Sequence, residues 1–222
     1  MSEVKVIEIK KSIFNANEID ADNLRRELKE KKVFLLNLMS SPGAGKTTTL
    51  IKLINNLKTD YRIAVMEADI DSDVDAVKIL EGTGVKAIQL HTGGMCHLDA
   101  EMTKQGLDNL DPDVDLVILE NVGNLVCPAE FDTGACKNMM ILSVPEGEDK
   151  PLKYPLMFQV CDIGAINKID CMELFDFDIE KVKGYIKQRN EKAEIYPICA
   201  RDGRGISELA DKIRKEIEEW RK

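Results

Sequence analysis

An apolar run, Val33 to Met39, passes without a break into Ser40-Ser41-Pro42-Gly43-Ala44-Gly45-Lys46-Thr47, and a helical pattern follows from Lys46 to Leu57. Strand, glycine-rich turn and helix in that order leave few folds open. The turn must lie at the carboxyl end of a buried strand, with the helix folding back across a sheet. Gly43 and Gly45 let the backbone curl so that several N–H groups point inward, and the helix opening at Lys46 adds its positive end. In the G-K-T ending, Lys46 is placed for β and γ phosphates and the Thr47 hydroxyl for Mg²⁺. Ala44 and Thr48 complete the phosphate-binding stretch. Ser40 stands where the motif's first glycine is expected, which bears on the local turn geometry.

Beyond this unit, strands and helices alternate. Strands are expected at 62–68, 85–90, 114–119, 139–144, 163–166 and 194–198, and helices at 74–80, 97–109, 152–160, 179–190 and 206–220. This alternation implies parallel βαβ units with right-handed crossovers. The expected fold is a three-layer α/β P-loop NTPase with a mostly parallel central sheet. Ahead of it, residues 5–13 read as an arm or edge strand, and Asn17 to Lys32 as an amphipathic helix capped by Asn17, with Ile19, Leu24 and Leu28 near helical spacing. The chain thus divides into an N-terminal arm and helix, 1–32, and a P-loop domain, 33–222. Gly164 and Ala165 stand where larger β-formers are expected, so their strand should pack weakly.

Asn167-Lys168-Ile169-Asp170 ends one expected strand, 120 positions beyond Thr47. At that place an N-K-x-D segment reads guanine. The Asp170 carboxylate can accept from guanine N1–H and N2–H together, a donor pair that adenine lacks. Asn167 can bind N7 or brace the phosphate loop, and the Lys168 stem can lie along the base. Cys199-Ala200-Arg201 resembles the loop whose alanine N–H meets guanine O6. Glu67-Ala68-Asp69 ends the second strand and leads into Asp71, Asp73 and Asp75, and Glu120-Asn121-Val122-Gly123 ends another. Carboxylates at neighbouring strand ends suit Mg²⁺, with Thr47, Asp69 and Glu120 as the expected ligands. Asp71 and Asp73 read equally as a solvated helix N-terminus. Gly123 can offer its N–H to the γ-phosphate. Lys46, Thr47, Asp69, Glu120 and Gly123 form the expected catalytic set. No glutamine stands near Gly123 to position an attacking water, so slow turnover is expected.

The chain of 222 residues carries a net charge of −9, which argues against nucleic acid as a main partner. No apolar run approaches membrane-spanning length, and the opening MSEVKVIEIKKSIF lacks the apolar stretch of a signal peptide, so a cytoplasmic protein with no membrane partner is expected. The six cysteines include no C-x-x-C pair, which favours buried thiols or metal ligands over disulfides. Both histidines, His91 and His97, lie in one loop, where Cys96 and His97 are adjacent, and Cys127-Pro128 follows the E-x-x-G loop. Thiolate and imidazole suit Ni²⁺ and Zn²⁺. Three donors do not close a tetrahedral structural site, so an open or subunit-shared site is expected. Free cysteines are also commonly just buried, and His91 reads as structural.

Taken together, S-S-P-G-A-G-K-T-T, E-A-D-x-D-x-x-x-D-A, G-G-M-C-H-L-D-A, E-N-V-G-N-L-V-C-P, P-E-G-E-D-K-P-x-K-Y-P and N-K-I-D resemble the hydrogenase maturation GTPases that help insert nickel, the HypB family, from about Leu35 to the last residue. The resemblance implies a fold of the signal-recognition-particle and MinD-like class, GTP and GDP as ligands, and a GTP-dependent homodimer. It also implies a Ni²⁺ or Zn²⁺ site built from Cys96, His97 and Cys127 at the subunit boundary. A second hydrogenase maturation protein and the hydrogenase large subunit are the implied partners. Residues 1–32 hold neither Cys nor His, so the accessory nickel motif of many members is expected to be absent. Cys127 lies four positions past Gly123, so movement of the γ-phosphate loop should drag it. Lys150 and Lys153 lie in a charged loop that reads as solvated, or as reaching a nucleotide across a dimer. The rival readings are a urease-type accessory GTPase, disfavoured because Ala129 rather than His follows Cys127-Pro128, and a nucleotide-gated docking module in which hydrolysis is incidental. A P-loop kinase is disfavoured by N-K-I-D.

Overall fold

The computed structural model describes residues 9–69 and 74–222, with side chains from Ala16 onward. Residues 1–8, Asp71 and Asp73, on which sequence expectations were placed, lie outside the described residues. The strands are β1 (Phe34–Ser40), β2 (Ile63–Asp69), β3 (Lys86–His91), β4 (Leu116–Glu120), β5 (Lys137–Ser143), β6 (Ile163–Asn167) and β7 (Glu194–Pro197). They form one parallel sheet in the order β3-β2-β4-β1-β5-β6-β7. The chain reverses its direction of travel across the sheet at β1, between β4 and β5. Ligands enter such sheets beyond the carboxyl ends of the strands at that reversal.

The helices are α1 (Ile9–Lys31), α2 (Lys46–Leu57), α3 (Val74–Thr83), α4 (Ala100–Leu107), α5 (Cys127–Glu130), α6 (Lys150–Lys153), α7 (Pro155–Val160), α8 (Ile179–Arg189) and α9 (Ile206–Arg221). Every residue of β1 is buried, as a central strand covered on both faces requires. Phe34, Leu36 and Leu38 face α2 and α9, meeting Leu53, Ile54, Leu209 and Ile213. On the other face, Leu35 packs with Leu24 and Leu28 of α1, and Met39 with Met157 and Phe158 of α7. The expected three-layer α/β fold is therefore observed.

Between these apolar positions Asn37 is also buried, and it is fully bonded. Its Nδ2 donates to Asn138 Oδ1 at 2.9 Å, and its Oδ1 accepts from Asn121 Nδ2 at 3.2 Å. Asn121 also accepts from Val122 N–H at 2.9 Å, and its own N–H donates to Leu38 O at 2.9 Å. A ladder of three amides thus pins the start of the E-x-x-G loop to the central strand.

Several sequence expectations are corrected. Residues 9–13 belong to α1 rather than to an arm or strand, and Asn17 lies inside that helix rather than capping it. The Asn17 side chain is buried, donating to Asp132 O and accepting from Ala100 N–H, each at 3.0 Å. Ile19 points outward, 63% exposed, while Leu24 and Leu28 carry the packing. The single helix expected over 152–160 is two, because Pro155 supplies no N–H and drives Tyr154 out of helical geometry. α4 starts at Ala100 rather than His97: Asp99 caps it by accepting from Met102 N–H at 2.8 Å, which leaves Cys96 and His97 in the loop.

The strand expected to pack weakly does the opposite. Gly164 and Ala165 sit in β6 between β5 and β7, and the Ile195 side chain fills the space above Gly164. A Cβ on Gly164 would lie 2.6 Å from Ile195 Cδ1. Gly164→Ala should therefore destabilise the protein by about 1–3 kcal/mol through overpacking, read from urea unfolding. Adding Ile195→Val, which removes Cδ1, should recover part of that loss.

Candidate functional site

The turn from β1 to α2 places Gly43 and Gly45 at φ of 75° and 97°. At Gly45 no side chain fits, since a Cβ would lie 2.5 Å from Asn167 Nδ2. Asn167 ends β6 and reaches across: its Nδ2 donates to Ala44 O at 2.9 Å and its Oδ1 accepts from Ala200 N–H at 3.0 Å. Lys168 adds a bond from Nζ to Gly43 O at 2.7 Å. Of the two roles open to Asn167, the structure shows the brace. The Ala200 N–H, expected to meet the base, is given to Asn167 here, because a buried amide must satisfy both its ends. Gly45, Thr48, Lys168, Asp170, Ala200 and Arg201 border an open cleft of about 280 Å³.

Ser40, the departure from the glycine pattern, is fully buried and useful. Its Oγ accepts from Lys46 Nζ at 3.2 Å and donates to Ser41 O at 2.7 Å, so the hydroxyl parks the phosphate lysine. Ser41 donates to Glu146, whose other oxygen accepts from Ser143 N–H and Ser143 Oγ, both at 2.7 Å. Glu146 thereby ties the loop to the end of β5. The charged stretch 145–155 signalled some role, but not this one. Lys153 pairs with Asp149 at 2.5 Å, and Lys150 lies over the Tyr154 ring at 5.3 Å. Gly123 abuts the loop: a Cβ there would sit 3.3 Å from Pro42 Cγ and 3.4 Å from Lys46 Nζ.

Parallel register sets Glu67 of β2 directly beside Glu120 of β4. With Asp75 they bring carboxylate oxygens within 4.8 Å of one another, and Thr47 Oγ1 donates to Glu120 Oε1 at 3.4 Å. Burial pushes the Glu67 carboxyl up to about 7 and the Glu120 carboxyl up to about 8. One oxygen of each, Oε2, is buried without a hydrogen-bond partner among the described residues. Orphaned carboxylate oxygens beside a P-loop hydroxyl fit a hard divalent cation such as Mg²⁺. Thr47 and Glu120 fall where expected. Asp69 does not join this cluster; it pairs in register with His91, and its carbonyl accepts from Thr92 N–H at 3.2 Å. Glu67 was the residue missed, and its signal was its place at a strand end matching that of Glu120.

The second cluster joins Cys96, His97 and Cys127, whose ligand atoms lie within 4.8 Å of one another. Cys96 Sγ is 4.0 Å from His97 Nδ1. The His97 ring stacks on Phe131, centroids 3.8 Å apart and planes at 12°, and burial lowers its pKa, which favours the neutral imidazole that binds metals. The neighbouring Cys96 thiol and partial burial raise the Cys127 pKa. His91 sits exposed at the end of β3 and outside the trio. The residues flanking the ligands, Met95 and Val126, are 42% and 48% exposed.

A backbone cradle at a helix N-terminus, locked to an N-K-x-D strand end in a parallel sheet, defines the class: this is a P-loop protein of the GTPase type. The chain matches the CobW/HypB/UreG nucleotide-binding domain over residues 34–197. It is 43% identical over 209 residues to hydrogenase maturation factor HypB of Azotobacter chroococcum mcd 1, covering 94% of this chain and 68% of that one. The crystal structure of HypB from Helicobacter pylori in complex with nickel is similar with a TM-score of 0.86 at 36% identity, covering 92% of this chain and 96% of that one. The signal recognition particle receptor FtsY of Elizabethkingia anophelis, at 15% identity and a TM-score of 0.54 over 93% of this chain and 80% of that one, shares the fold alone. The chain belongs to the HypB family of hydrogenase maturation factors.

The raised carboxyls make stability depend on pH. Both groups bind protons more tightly folded than unfolded, so their contribution is fully present below the unfolded value near 4.5 and is lost as pH rises through about 7 and 8. In the presence of EDTA the melting temperature should fall between pH 5 and pH 8 (both approximate limits). Glu120→Gln should flatten that slope, and added Mg²⁺ should restore the wild-type loss.

Proposed function

We propose that this protein is a GTP-binding, slowly GTP-hydrolysing nickel carrier for [NiFe]-hydrogenase maturation, in which nucleotide state sets metal binding and dimerisation. One observation carries the reading: a single short segment, from Glu120 to Cys127, links the two clusters. Its first residue holds a buried carboxylate, one oxygen accepting from Thr47 and the other without a hydrogen-bond partner among the described residues, and its last supplies a thiol of the Cys96, His97, Cys127 trio.

In this reading the phosphates take the N–H groups of Gly43, Ala44 and Gly45 and the positive end of α2. Lys46 leaves the Ser40 hydroxyl for the β and γ phosphates. Gly123, already against Pro42 and Lys46, gives its N–H to the γ-phosphate, so the loop feels its presence and its loss. Asp170 accepts from the guanine edge. Mg²⁺, held by Thr47 and Glu120 with Glu67 and Asp75, would supply charge neutralisation between the β and γ phosphates. No glutamine follows Gly123, so the attacking water is poorly positioned by the monomer and hydrolysis is slow.

Nickel is the cargo, and Zn²⁺ fits the same donors. Two thiolates and one imidazole leave coordination incomplete, and exposed Met95 and Val126 frame them, so a second copy completes the site in the GTP state. A second maturation protein and the hydrogenase large subunit are the expected donor and receiver. Among the described residues no helix is long and apolar enough to cross a membrane, in keeping with cytoplasmic action.

Nickel titration of wild type and Cys127→Ala, with GDP and with a nonhydrolysable GTP analogue, tests the coupling. Wild type should differ severalfold in affinity between the two states, and the variant should lose that difference; equal wild-type affinities would reject the link. Because thiols must lose protons to bind, wild-type affinity should rise with pH. Single-turnover kinetics should show the monomer hydrolysing GTP far below the ~10 per second common among enzymes. Fast turnover would contradict the missing water-positioning group.

A further inference from the structure

We propose that Arg201 guards the base-reading carboxylate, so that guanine enters the cleft by displacing a guanidinium from Asp170. This rests on the guanine reading above and adds to it the residue that sets its affinity. The Asp170 side chain is mostly buried, 17% exposed, and both its oxygens are engaged. Oδ1 accepts from Cys199 Sγ at 3.3 Å, and Oδ2 pairs with Arg201 Nη2 at 2.9 Å.

The two partners differ in what it takes to move them. Cys199 is buried in the cleft wall, and its thiol is a weak donor that leaves Asp170 room to accept more. Arg201 is 81% exposed, and its pair with Asp170 faces solvent. Guanine presents N1–H and N2–H side by side, and a guanidinium presents the same kind of paired N–H edge to a carboxylate. The two ligands therefore compete for one edge of Asp170. Adenine has no such donor pair, so an adenine nucleotide does not dislodge Arg201.

Arg201 thus acts on guanine nucleotides alone. It keeps a half-buried negative charge paired while the cleft is empty, and it lowers guanine affinity by the worth of one exposed ion pair. That worth is small by nature, which leaves binding intact while speeding release of GDP. Salt weakens exposed pairs, so the guard should fade as ionic strength rises.

The test measures GDP and ADP affinity, and GDP release rate, for wild type and Arg201→Ala at low and high salt. ADP reports the general loss of a positive charge at the cleft, and the GDP-to-ADP ratio isolates the effect at Asp170. The ratio should rise about two- to fivefold in the variant at low salt, with GDP release slowed by a similar factor. Wild type should approach the variant's ratio at high salt. An unchanged ratio overturns the proposal, and a lower one overturns it in favour of Arg201 packing on the bound base. Asp170→Asn should abolish the GDP preference in either background. If wild type shows no preference for GDP over ADP, the guanine reading fails and this proposal with it; a preserved preference with an unmoved ratio removes only the role of Arg201.

Discussion

The buried Asn167 side chain holds the nucleotide site together. One of its ends donates to Ala44 O in the phosphate loop, and the other accepts Ala200 N–H from the loop after β7. An amide buried without either bond would cost about 1–3 kcal/mol. The two loops are therefore fixed relative to each other before any ligand arrives. The glycine at position 45 follows from the same contact, since the amide occupies the volume where any side chain would lie. Phosphate and base recognition are two surfaces of one bonded unit.

Charge is treated differently at the two metal-fitting clusters. Glu67 and Glu120 are buried side by side, and desolvation holds them partly protonated near neutral pH. A hard cation bound there would have to displace those protons. The trio of Cys96, His97 and Cys127 is half-buried, with apolar neighbours left in solvent. Buried oxygen donors suit a hard ion, and half-buried sulfur and nitrogen donors suit a softer one.

Much of this was legible in the sequence because its signals are local. α2 follows its predicted span without change, as the G-K-T turn fixes the start and Leu57 ends the apolar stripe. The Cys96, His97 and Cys127 grouping rested on ligand chemistry and on family resemblance, and the structure brings those three together. Three of the failures are long-range. Asn17 looked like a cap because its nearby sequence fits one, but its partners are Asp132 and Ala100. Asp69 was expected beside Glu120, whereas strand register sets Glu67 there. Gly164 looked like a weakness until Ile195, on the neighbouring strand, was seen to fill its place. Each of these errors concerns a contact between residues far apart in the chain, which no window of neighbouring residues contains.

The amide ladder of Asn37, Asn121 and Asn138 has a mechanical consequence. It fastens the chain to the rigid centre of the sheet up to Asn121, one residue past Glu120. The fulcrum of any loop swing is therefore set at Val122, and the arm beyond it runs outward to Cys127. A tug at Gly123 would meet a fixed end in β4, with only the residues from 122 to 127 between that anchor and the thiol.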